Sequence, residues 1–96
     1  MRARTTLAED FTHQARWRRE KAEQYLARRN LAAAELLDQL AESAANCPPE
    51  IIDAADELLE ISDAVKLWSE MMRGVGFGYS PRTAEQFIRD FIRQRA

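Results

Sequence analysis

The chain has one cysteine, Cys47, and one histidine, His13, among its 96 residues. A single cysteine excludes an internal disulfide and any multi-cysteine metal site. Cys47 precedes Pro48-Pro49 in a turn and reads as a buried or idle thiol, with an intermolecular disulfide or a reactive thiol as the alternatives. His13 has no Cys or His three or four residues on, so no ligand pair forms on its helix face; it reads as an exposed or hydrogen-bonded imidazole. No serine or cysteine has a histidine in sequence context to activate it, so enzyme activity is not expected, nor is a cofactor or a metal. No apolar run approaches the roughly 18 residues of a membrane span. The start, MRARTTLAEDF, is basic but lacks the apolar h-region of a signal peptide, so the default expectation is a cytoplasmic protein. Glycine occurs only at 74, 76 and 78, and proline only at 48, 49 and 81. There is no β pattern of substance, no low-complexity run and no internal repeat.

What remains is 46% hydrophobic and 31% charged, the balance of a soluble globular protein. Ninety-six residues make one helical domain, 1–96, able to bury roughly 60–70% of its unfolded surface. The net charge of −2 hides a strong asymmetry: residues 1–30 sum to +4, 31–70 to −9 and 71–96 to +3. Such a chain packs helices side by side with complementary flanks, or presents a basic surface to an acidic partner or to phosphate. Twelve of the fourteen bases are arginine, which suits bidentate contacts and equally a GC-rich genome.

Apolar periodicity predicts an all-α bundle of four helices, at about 6–29, 31–45, 49–73 and 81–94, with antiparallel neighbours. Thr6 or Thr5, with Glu9 three residues after Thr6, is set to cap the first helix. Its stripe is Leu7, Phe11, Ala15, Ala22, Tyr25 and Leu26; Arg18 and Arg29 point along the same side, while Trp17 lies well off it among Gln14, Lys21 and Arg28. Asn30 marks a break. The second helix gathers Leu36, Leu37, Leu40, Ala41 and Ala44 on one face. The third starts on Pro49 and ends before Gly74. In it Ile51, Ile52, Ala55, Leu58, Leu59, Ile61 and Val65 oppose Asp53, Asp56, Glu57, Glu60 and Asp63, but Leu67 and Met71 fall on the acidic side and Trp68 and Met72 bridge the two. The last turns therefore either enter the core or meet a partner. Ser80-Pro81 opens the final helix, with Ala84, Phe87, Ile88, Phe91 and Ile92 inward. Rods of roughly 35 Å for the first and third helices imply an elongated bundle that dimerises to cover its flanks.

The loop GVGFGYSP invites a phosphate cradle, but no strand precedes it and no P-loop lysine follows; it reads as a flexible connection with Val75, Phe77 and Tyr79 tucked onto the core. The carboxylates of the third helix lack the histidines that complete a di-metal bundle site, and read as a solvated or arginine-paired face. The stretch Gly78 to Ala84, with its Ser-Pro-x-Thr, loosely resembles the opening helix of tyrosine-recombinase core-binding domains and the recognition helix of LuxR-type helix-turn-helix domains. Any capped helix start shows that pattern, and neither family is assigned.

Three function classes remain, of which an enzyme or small-ligand carrier is the least expected, and two carry the expectation. One is a small non-enzymatic protein–protein interaction module (an adaptor, an inhibitor or anti-activator, or a mobile-element accessory protein) that acts by occupying a surface, with Trp17, Leu67, Trp68 and Met71 as contacts and a homodimer as its form. The other is a nucleic-acid-binding regulator using Arg82, Arg89 and Arg93, aligned on one flank of the last helix, with support from Arg2, Arg4, Arg16, Arg18 and Arg19.

Overall fold

A computed structural model describes residues 4–95 as an all-α bundle of five helices. They are α1 (Arg4–Ala22), α2 (Ala27–Ser43), α3 (Pro49–Leu59), α4 (Ser62–Gly74) and α5 (Ala84–Arg95), with a 3₁₀ turn, Ala44–Asn46, after α2. The fold class is as expected; the count is five because the 49–73 helix is two.

The break falls between Leu59 and Ser62 without a glycine or proline. Glu60 and Ile61 donate their N–H groups three residues back, to Glu57 and Leu58, and Ile61 turns extended. Its cause is the drift in the apolar face. A straight helix carrying Ile52, Ala55 and Leu59 inward would carry Lys66 and Glu70 inward with them, at great desolvation cost. Restarting at Ser62 instead turns Ala64, Trp68, Met71 and Met72 into the core. Asp63 in the first turn of α4 suits the positive end of that helix.

The first helix also stops sooner than periodicity predicts, at Ala22 and not near Arg29. Asn30 is no break; it belongs to α2, is fully buried, and donates its side-chain amide to the carbonyls of Tyr25 and Leu26. That clamp holds Leu26 in the left-handed region at φ 47°, a conformation costing about 1–2 kcal/mol for a residue with a Cβ. Tyr25 and Leu26, placed on the stripe by the wheel, are accordingly exposed in the turn. At the other end α1 is already helical at Arg4, so Thr5 and Thr6 lie inside it and neither is its cap.

α1 and α2 form the principal pair, an antiparallel hairpin whose open ends are tied by Arg4 Nε donating to the Cys47 carbonyl at 2.8 Å. α5 lies against α3 and α4. Its cap is Thr83, not Ser80: Thr83 Oγ1 accepts from the Gln86 N–H at 3.1 Å, and Gln86 Oε1 accepts from the Arg82 N–H at 2.9 Å. The Ala84 N–H finds Ser43 Oγ at 2.8 Å, joining the start of α5 to the end of α2. Pro81 is buried ahead of the helix instead of opening it.

The core is knitted by aromatic edges. Phe87 meets Phe11 of α1 and Trp68 of α4 edge-on at 5.2 and 5.1 Å, and Trp68 meets Phe91 at 5.1 Å. With the long rods cut, the bundle is not elongated: the radius of gyration is 12.9 Å and the extents are 36 × 26 × 18 Å. Among the described residues no helix is long and apolar enough to cross a membrane.

Candidate interaction surface around Trp17

The α1 stripe that begins with Leu7, Phe11 and Ala15 is completed by Arg18, only 6% exposed. Its guanidinium meets no carboxylate of the described residues. Nη1 donates to Asn30 Oδ1 at 3.1 Å, and Nη2 donates to the backbone carbonyl of Arg73 in the last turn of α4. The ring of Phe77 lies 4.1 Å from its central carbon. Three partly negative groups (an amide oxygen, a helix C-terminal carbonyl and a π face) thus replace the acid expected for a buried arginine. Burial pulls Arg18 below its ordinary pKa, Tyr25 opposes that and Arg73 adds to it.

The loop after α4 makes this possible. The Phe77 and Tyr79 N–H groups both donate to the Gly74 carbonyl, at 2.8 and 3.2 Å, and the Gly76 N–H to the Tyr79 carbonyl at 2.8 Å. Gly76 adopts φ +81° against α2, where a Cβ would lie 2.5 Å from the Ala33 methyl. The loop is therefore a tight, hydrogen-bonded knuckle, not a flexible link. Val75 is buried, and Tyr79 donates its hydroxyl to Asp90 Oδ2 of α5 at 2.6 Å. Burial first, then that bond, raises Tyr79 far above the usual phenol range. Phe77, on the knuckle, lies between Arg18 and Arg29, the latter 5.0 Å from the ring centre.

Trp17 stands beside this cluster, half-buried on α1. Around its ring lie Arg18 at 4.7 Å, Lys21 at 5.5 Å and Arg73 at 6.0 Å. No carboxylate of the described residues lies within ion-pair distance of Lys21, Arg29 or Arg73. Beyond Arg73, α1 and α4 leave between them an open cleft of about 240 Å³. Asp10, His13 and Gln14 form one wall; Trp68, Ser69, Met72 and Arg73 form the other. Gln14 Nε2 is buried without a hydrogen-bond partner among the described residues.

The other residues singled out from the sequence fall elsewhere. Trp68 and Met71 are core residues, 8% and 7% exposed, and Leu67 is packed partly against the same core. The restart at Ser62 explains this, since the wheel that put Leu67 and Met71 on the acidic side assumed one straight helix. Arg89 pairs with Glu85 at 2.9 Å and Arg93 with Asp90, so two of the three arginines in the α5 row already serve their own helix; Arg82 is exposed. Arg19 pairs with Asp38 across α1 and α2, and that exposed bridge, not Arg18 or Arg29, carries the electrostatic pairing of the hairpin. Arg2 lies outside the described residues. Cys47 is fully buried, and burial pushes its thiol up, away from the thiolate. Among the described residues no group of three or more His, Cys, Asp and Glu side chains stands close enough to hold a metal ion.

Sequence reasoning found Trp17 by its absence from the stripe and Arg18 by its presence on it. It missed Phe77 and Arg73 as their neighbours, because only the knuckle brings them to α1. Comparison with family models, with curated proteins and with solved structures gave no match.

Proposed function

We propose that this chain is a small non-enzymatic interaction module that occupies a partner protein's surface through the face around Trp17. The observation that carries this reading is Trp17 itself, half-buried and ringed by cations that no carboxylate of the described residues neutralises. Tryptophan and arginine are the residues most enriched at binding hot spots, and the buried Arg18 beneath them holds the platform rigid. A homodimer through Leu67 and Met71 loses its motive, because Met71 packs inside the fold. The arginine row on α5 gives little support to the nucleic-acid reading, since Arg89 and Arg93 are occupied.

The test replaces Trp17 by alanine and measures unfolding and nuclease-resistant partner capture separately. Capture should be lost while stability falls by no more than about 1–2 kcal/mol. A loss of about 3–5 kcal/mol would mark a core tryptophan, and undiminished capture would place the working surface elsewhere.

A further inference from the structure

Resting on that reading, we infer the chemistry of the partner: an acidic, amphipathic peptide segment, its apolar side chains seated in the α1–α4 cleft and its carboxylates on Lys21 and Arg73. The cleft has room for one or two side chains and is floored by Trp68 and Met72, the apolar part of its lining. Arg73 belongs both to the cleft wall and to the ring of cations around Trp17, so the cleft, apolar at its floor and polar along its walls, adjoins the basic patch. An incoming carboxylate would complete charges that now face the Trp17 ring and that no carboxylate of the described residues neutralises.

A peptide fits these features better than a nucleic acid does. A peptide supplies both carboxylates for Lys21 and Arg73 and side chains for the cleft, whereas a phosphate chain supplies only the anions. A second copy of the chain could also supply carboxylates, and the experiment must separate it.

The 96-residue chain is immobilised and a random dodecapeptide display library is selected against it. The commonest enriched peptide is then synthesised with a fluorescent label and titrated by anisotropy. Enriched sequences should be rich in Asp and Glu, with apolar residues at helical spacing. Affinity should fall roughly tenfold or more in the Lys21→Glu/Arg73→Glu double variant, and far less in Arg82→Glu. A single-stranded oligonucleotide should not displace the peptide, and the unliganded chain should scatter light as a monomer. Melting curves on each variant confirm that it is folded. The inference is overturned by no enrichment, by enrichment without acidic bias, by indifference to the double charge reversal, or by oligonucleotide displacement. It is also overturned by a dimer that the double variant dissociates, which would assign the face to a second copy. Peptides that need Trp17 but carry no acids would leave the interaction reading standing and sink this one alone. Peptides indifferent to Trp17→Ala would sink both.

Discussion

Arg18 of α1 donates to the backbone carbonyl of Arg73 in the last turn of α4, joining two helices that otherwise touch only over a short stretch. Its other terminal nitrogen holds Asn30, and Asn30 in turn holds the carbonyls of the α1–α2 turn. One buried cation thereby fixes a helix end, a reverse turn and the Phe77 knuckle. The basic–aromatic face is built on that junction.

Replacing Arg18 by leucine should therefore cost more than an ordinary core substitution of similar size. It strands Asn30 Oδ1 and the Arg73 carbonyl, each of which carries a penalty of about 1–3 kcal/mol when buried without a partner. Denaturant unfolding should show a total loss of about 2–4 kcal/mol. Because Arg18 and Asn30 share one network, the Arg18→Leu/Asn30→Ala double variant should lose less than the sum of the singles. Full additivity would mean that the bond contributes nothing.

The two loop glycines separate strain from space. Gly76 has φ +81° and no room beside Ala33, whereas Gly78 has φ +105° with open space around it. Gly78→Ala should cost only the backbone strain, about 1 kcal/mol. Gly76→Ala should cost clearly more, because α2 must also give way. Equal losses would contradict the close approach of loop and helix.

Tyr79 makes a pH-dependent contribution of determinable sign. Its folded pKa is raised above the unfolded value by burial and by Asp90, so the folded state holds the phenol proton more tightly. The resulting stability is fully present below the unfolded pKa of about 10 and is lost as pH rises beyond it. Thermal unfolding between neutral and strongly alkaline pH should show wild type falling towards Tyr79→Phe above about pH 10. Parallel curves over that range would argue against the bond to Asp90.

The α3–α4 break was visible in the sequence as a symptom and not as a cause. Leu67 and Met71 sat on the wrong side of a wheel drawn from Ile51, which meant either entry into the core or a partner. Nothing local chose between them, since Glu60-Ile61-Ser62 contains neither glycine nor proline. The α1–α2 turn was harder still, because Leu26 takes a left-handed conformation that only the amide of Asn30 explains. The apolar stripes of α2 and α5 were legible, being short-range and periodic, and so was the first half of that of α1, Leu7, Phe11 and Ala15. The site was legible only in part: Trp17 and Arg18 show in their own helix, but Phe77 and Arg73 reach them through tertiary contacts more than fifty residues away.

The two tryptophans should answer differently to truncation. Trp68 touches Phe87 and Phe91 edge-on inside the core, so Trp68→Ala should lose about 3–5 kcal/mol. Met71→Lys should unfold the chain outright, as it would bury an ammonium group without a partner. A folded Met71→Lys protein would mean that α4 faces solvent where the structure has it facing the core.

The claim that Trp17 is the working anchor is tested most directly by fluorine NMR of the chain labelled with 5-fluorotryptophan. Two resonances are expected, and Trp17→Phe assigns them by deleting one. As the selected acidic peptide is added, the Trp17 resonance should shift progressively and saturate with the anisotropy titration. A Trp17 resonance that stays in place while the peptide saturates the chain would contradict the account.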